Sequence, residues 1–271
     1  MFDAAASAAS RVGDADALDY VYRGRALRLK PQTKENLAKA QSLFEKAIAA
    51  DDTIPDAWAG LGLVLVEEAL NFGGSDAQAR LARAESAIGK ALTLNPNYPE
   101  AHAARALILS AQQRWTEAED EDEFVMRLDR NYAGAYPNLA YLKIAVGNPA
   151  AAIPLCEQAM RLSPRETGLV GLSQMAIGYA HLVMRDDLRA AIDWLVKARG
   201  SNPNFPWTHL LLSAAYGLNG DAQKARASMD EARRLNPAYS IRFIKSWKVF
   251  NFSQISVPFY DVWRQAGMPE E

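Results

Sequence analysis

The sequence predicts an all-α protein, a right-handed α-solenoid of about six helix-turn-helix units closed by a C-terminal capping helix. Three observations carry this. Prolines recur in a ladder, with Pro96 and Pro164 separated by twice 34 residues and Pro203 and Pro237 by 34. Each closes a similar phrase: Lys90-Ala91-Leu92-Thr93-Leu94-Asn95-Pro96, Gln158-Ala159-Met160-Arg161-Leu162-Ser163-Pro164, Lys197-Ala198-Arg199-Gly200-Ser201-Asn202-Pro203 and Glu231-Ala232-Arg233-Arg234-Leu235-Asn236-Pro237. Upstream of each phrase, two alanines seven residues apart bracket a larger side chain.

Those brackets are Ala40, Phe44 and Ala47; Ala84, Ile88 and Ala91; Ala152, Cys156 and Ala159; Ala191, Leu195 and Ala198; and Ala225, Met229 and Ala232. Residues four and seven apart share one helix face, and alanine lets two helices approach closely. A proline after each second helix cannot continue it and disfavours helix in the residue before it. First helices open with Trp58, Leu61 and Gly62, with Tyr136-Pro137-Asn138-Leu139-Ala140, and with His209 to Ser213 followed by Tyr216. A single such pair cannot bury its own apolar face, so neighbours must stack.

On these residues the chain resembles the tetratricopeptide-repeat (TPR) family, whose unit is a 34-residue pair of antiparallel helices. The resemblance covers 18–271, with residues 1–17 expected as a linker or trimmed edge and about 238–271 as the capping segment. Departures are local. Gly24 to Ala40 is four residues longer than the family spacing, across Lys30-Pro31-Gln32-Thr33. Gly62 to Ala84 is ten longer, with Asn71 to Asp76 expected as a protruding loop carrying an N-cap. The third unit has Arg130 in place of its proline and Asp122 where an apolar residue belongs.

Composition narrows function. Hydrophobic residues make up 49% and charged residues 23% of the chain, typical of a core-forming, helix-rich domain and not of a disordered one. The formal net charge is -2 with signs interspersed, so no summed field draws a nucleic-acid backbone or an anionic membrane to the surface. Neither is expected as a partner. One cysteine, Cys156, allows no internal disulfide, and Met1 to Ser10 lacks the pattern of a secretory signal, so a cytoplasmic setting is expected.

No constellation of nucleophile, base and stabiliser appears, and no metal-ligand spacing. The chain is therefore expected not to be an enzyme and to take no cofactor. His102 and His209 stand at unit openings and, with His181, are expected to pack. The run Glu117-Ala118-Glu119-Asp120-Glu121-Asp122-Glu123 offers a cation or basic-partner site, but at helical spacing its acids diverge, which favours a solvated face. Gly73-Gly74-Ser75 lacks the strand and lysine of a phosphate loop.

The resemblance implies that first helices line a concave groove that binds a protein or peptide. Its candidate lining is Leu63, Val66, Leu107, Tyr141, Ile144, Tyr179, Val183, Leu210 and Leu218, an apolar row suited to an amphipathic helix or to a segment of the chain itself. The residues of a carboxylate clamp are absent, since Ala59, Leu63 and Ala103 occupy its positions. The chain is thus expected to be a non-enzymatic binding scaffold or adaptor. A second expectation rests on Tyr20-Val21-Tyr22-Arg23-Gly24-Arg25 and Trp263-Arg264-Gln265-Ala266-Gly267-Met268-Pro269. These resemble repeat regions that follow bacterial class III nucleotide cyclase or winged-helix regulator domains, implying a C-terminal regulatory segment of a signalling protein.

Overall fold

The computed structural model describes residues 16–30, 33–73, 76–246 and 257–271, and among them every regular element is helical. The expected linker over 1–17 lies outside the described residues as far as residue 15. Residues 16 and 17 already belong to a helix, and Ala17 is fully buried. The chain divides into two compact units, Met1–Ile108 and Leu109–Glu271. The first holds α1 (16–28), α2 (Lys34–Ala50), α3 (Pro55–Phe72), α4 (Ala77–Leu94) and most of α5 (Pro99–Ala111). The second holds α6 (Trp115–Leu128), α7 (Ala135–Ala145), a 3-10 turn at Pro149–Ala151 leading into α8 (Ala152–Leu162), α9 (Thr167–Met184), α10 (Leu188–Ser201), α11 (Pro206–Leu218), α12 (Ala222–Leu235), α13 (Ile241–Ser246) and α14 (Val257–Gln265).

Starts and stops follow local chemistry. Pro55 and Pro206 stand at the first position of their helices, where a missing N–H costs nothing. Thr33, Asp187 and Asp221 cap α2, α10 and α12, their side-chain oxygens accepting from backbone N–H groups in the first turn. Pro96, Pro164, Pro203 and Pro237 each lie two residues beyond a second helix. The proline is not what ends it. At α2 and α6, which lack one, Asp51 and Asp129 accept from the N–H two residues on, at 2.8 and 2.9 Å, as Asn95 does at 3.1 Å before Pro96. This Asx turn diverts the backbone by itself.

The ten-residue lengthening in the second unit of the repeat is not a loop. Asn71 and Phe72 are still helical, and the extra residues lengthen α3 and α4 to 18 residues each. The reason is apolar continuity, because Leu65, Val66, Ala69, Leu70 and Phe72 extend the buried stripe of α3. Asp76 makes no side-chain capping bond and instead pairs with Arg80 at 2.6 Å. Residues 74 and 75 of the expected loop lie outside the described residues.

Packing within pairs depends on missing side chains. A Cβ on Gly24 would stand 2.9 Å from the Phe44 ring and one on Gly60 2.3 Å from it, so Phe44 of α2 is seated between glycines of α1 and α3. Gly62 faces Ile88 and Gly178 faces Leu195 in the same way, at 2.5 and 2.7 Å. All five alanine brackets named above are buried. Cys156 is the central member of one, fully buried, and desolvation pushes its thiol pKa up to about 12. Asp122 occupies the corresponding place in α6, 1% exposed, with one carboxylate oxygen lacking a hydrogen bond. Burial first, then Glu121 and Glu119, raise its pKa well above the ordinary range.

This packing is open to test at two places. Gly60→Ala should cost about 1–3 kcal/mol in urea unfolding, whereas Gly89→Ala, where a Cβ meets nothing within 4 Å in α4, should gain about 0.5–1 kcal/mol. For Asp122 the neutral form belongs to the folded state. Its stabilising contribution is full below the unfolded carboxylate pKa of about 4 and is lost as pH rises toward the raised folded value. Asp122→Leu should raise stability at pH 8 by about 1–2 kcal/mol and abolish that slope, as read by melting curves across pH.

Candidate functional site: the row of first helices

The histidines have a structural office that sequence reasoning assigned only as packing. His102 Nε2 lies 2.8 Å from the Pro96 carbonyl oxygen and His209 Nε2 2.7 Å from that of Pro203. Trp58 donates its indole N–H to the Asp52 carbonyl at 2.8 Å, and Tyr136 its hydroxyl to that of Arg130 at 3.0 Å. In all four the acceptor lies six residues earlier, in the turn from the previous pair. The position asks for a ring with a donor at its tip. For the histidines this fixes the Nε2–H tautomer, because a carbonyl can only accept. Trp58 is half-buried, not fully packed as its place in the motif suggested. His181 pairs with Asp186 at 3.2 Å at the end of α9.

In the first unit Leu63 and Val66 are buried in α3, and Leu107 of α5 is half-buried. The same unit carries an ionic cluster, in which Arg25 contacts Glu100 and Asp56, both at 2.8 Å, and hydrogen-bonds the Tyr98 hydroxyl. Arg28 contacts Glu100 at 2.7 Å and Glu67 at 3.0 Å. Glu100 thus bridges two guanidinium groups of α1 from α5, across α3. Its side chain is 11% exposed, so the pairs are partly desolvated and depend on one another for compensation. The sequence analysis named Arg25 only within the phrase at 20–25 and did not foresee this ionic cluster. Partners 72 and 75 residues apart leave no local signature.

In the second unit the row is occupied. Tyr141 of α7, Met175 and Tyr179 of α9, and Trp207 and Leu211 of α11 meet Ile244 of α13 and Phe259 and Trp263 of α14 around a cavity of about 20 Å³. That is room for about one water molecule. Trp263 donates its indole N–H to the Leu210 carbonyl at 3.0 Å, and Gly217 lets Val262 approach so closely that a Cβ there would stand 2.2 Å from Cγ1. The tail is pinned by Ile241 and Arg242, whose N–H groups donate to the carbonyls of Pro269 and Glu270 at 2.9 and 3.0 Å. Ile144, Tyr179 and Leu210 are accordingly buried, while Tyr141, Val183 and Leu218 keep part of their surface. The tyrosines of the predicted groove face the chain's own C-terminal helix, and Tyr141 further donates to the Leu172 carbonyl at 3.2 Å.

The acidic run divides as helical spacing requires. Glu117 is held by Arg114, Glu119 by Lys143, and Asp122 turns inward. Among the described residues no group of three or more metal-ligating side chains converges, and no helix is long and apolar enough to cross a membrane. A wider, polar recess of about 330 Å³ lies beside α11 and α12, lined by Arg199, His209, Tyr216, Lys224, Ser228 and Glu231. Two of its charges are already satisfied, Lys224 by Asp221 at 2.8 Å and Glu231 by Arg234 at 2.7 Å.

No family model matches the chain, and no curated protein does. Solved structures do. The Cut9-Hcn1 hetero-tetramer of the APC/C aligns over 86% of this chain at 15% identity with a TM-score of 0.64, this chain spanning 40% of that one. The human IFIT1 dimer with PPP-AAAA aligns over 86% at 20% identity and a TM-score of 0.60, this chain spanning 55% of it. A thermophilic TPR protein of Thermus thermophilus aligns over 73% of this chain and 98% of its own length, at 16% identity and a TM-score of 0.55. The chain thus has the all-α fold of TPR proteins.

The turn clip is testable at His209, whose pKa burial holds below the ordinary value. A depressed histidine contributes stability above its unfolded pKa of about 6.5 and loses it as pH falls through the folded value. His209→Phe should cost about 1 kcal/mol at pH 8, by stranding the Pro203 carbonyl, and should reduce the loss of stability between pH 7 and pH 5 in urea titrations.

Proposed function

We propose that the chain is a non-enzymatic protein- or peptide-binding module, a scaffold or adaptor whose ligand is an amphipathic helix. The observation that carries this is α14. The row of first helices in the second unit holds a short helix through aromatic side chains spaced four apart, Phe259 and Trp263, with Ala266 a turn further on. That is the spacing by which helix-in-groove recognition works. The surface is therefore chemically suited to such a ligand, and the half-buried Val183 and Leu218 are where it remains accessible. The fold alone does not choose the ligand, since IFIT1 carries PPP-AAAA on it. Charge argues for a peptide here, because a formal net charge of -2 with interspersed signs gives a polyanion no counter-surface. A cytoplasmic protein fits the unpaired, buried Cys156.

The narrower reading, a regulatory segment of a bacterial signalling protein, rests on the phrases at 20–25 and 263–269. Most of their residues have packing roles of their own: Val21, Gly24 and Trp263 are buried, and Arg25 is ion-paired. The binding reading is the better supported.

The test is display selection of helical peptides against the full chain. Enriched sequences should carry apolar anchors at i, i+3 or i+4, and i+7, and their binding should weaken about tenfold in Val183→Glu or Leu218→Glu, with circular dichroism unchanged. Absence of enrichment, or binding indifferent to both variants, would overturn the proposal.

A further inference from the structure

We infer that the outer face of α1 is a self-association surface that takes α1 of a second copy in antiparallel orientation. The helix has two apolar stripes. Ala17, Val21 and Gly24 form the buried one, against Phe44. Leu18, Tyr22, Ala26 and Leu29 form the other, at spacings of four, four and three, and all four are exposed. Leu18 is 41%, Tyr22 63% and Leu29 53% exposed, and these are three of only five large hydrophobic side chains left exposed among the described residues. A helix apolar on both sides is one with neighbours on both sides. Among the described residues, this stripe of α1 is left exposed by the packing of the first unit.

Charge selects the occupant. The exposed face of α1 is acidic in its first half, at Asp16 and Asp19, and basic toward and just beyond its end, at Arg23 and Lys30, with Arg23 and Asp19 meeting at 3.2 Å as an exposed pair that a second copy can share. A helix polarised this way repels a parallel copy and complements an antiparallel one. With Tyr22 facing Tyr22 across the two-fold axis, Leu18 of one copy lies opposite Ala26 of the other. The acidic half of each then runs beside the basic half of its partner, and the helix dipoles oppose favourably. A surface about 20 Å long is below the standard size for a stable interface, so the dimer is weak and concentration-dependent, in the micromolar range.

Sedimentation equilibrium of the full chain tests this over about 1–200 μM. The mass should rise from monomer toward dimer, and Tyr22→Asp should raise the dissociation constant by about tenfold or more without loss of helicity. Two charge variants make the orientation falsifiable. Asp16→Lys with Asp19→Lys, and Arg23→Glu with Lys30→Glu, should each stay monomeric alone and associate when mixed. A monomer at every concentration overturns the inference, whether the stripe serves another protein or another part of this chain. So does a dimer that Tyr22→Asp leaves intact, and so does self-association of either charge variant.

Discussion

The pairing of α2 with α1 and α3, of α3 with α4 and of α9 with α10 occurs at a distance that an absent side chain permits. Phe44 lies between Gly24 and Gly60, Ile88 against Gly62, and Leu195 against Gly178, with alanines above and below to hold the helices parallel at that separation. Large residue into glycine is a ridge in a groove with almost no slack. Where this contact recurs within a unit, the separation of the two helices is set by the same local geometry.

The turns between pairs obey an equally compact rule. At Asp51, Asn95 and Asp129 an Asx turn folds the chain at the end of the second helix, and the residue after each offers its carbonyl to a ring six residues on, as Pro203 does to His209. Trp, Tyr and His all satisfy the second condition, because each places a hydrogen-bond donor at the far end of a flat apolar body. Histidine is the interesting member. Neutral or protonated, its ring keeps an Nε2–H for the carbonyl, and at His209 it is burial, not the clip itself, that opposes the charged form.

Much of this was legible in the sequence, because a repeat writes the same local rule several times. The alanine brackets, the helix ends before Pro96, Pro164, Pro203 and Pro237, and the closing segment after Pro237 follow from spacing, whereas Asp122, part of an acidic run expected to be solvated, turns inward. What was illegible depends on which strangers in sequence become neighbours in space. Val66 to Phe72 could have ended in a loop or continued a helix, and only burial against α4 decides. The pairing of Arg25 and Arg28 with Glu100 carried no signal, since Glu100 arrives four helices later, on α5. The candidate residues lie on first helices, and in the second unit their apolar row, suited from sequence either to a partner helix or to a segment of the chain itself, meets the aromatic face of α14; hydrophobicity does not distinguish an awaited partner from one already present.

Cys156 has a further use that its burial confers. With its thiol pKa pushed up to about 12 and no solvent contact, it is chemically silent in the native protein. A disulfide reagent can therefore reach it only from conformations in which α8 has parted from α7 and α9, and the rate of its modification clocks that opening. The molecule carries an internal stopwatch for the breathing of its second unit, readable without adding any label, and one that stays dark when extra cysteines are placed on the surface for other purposes.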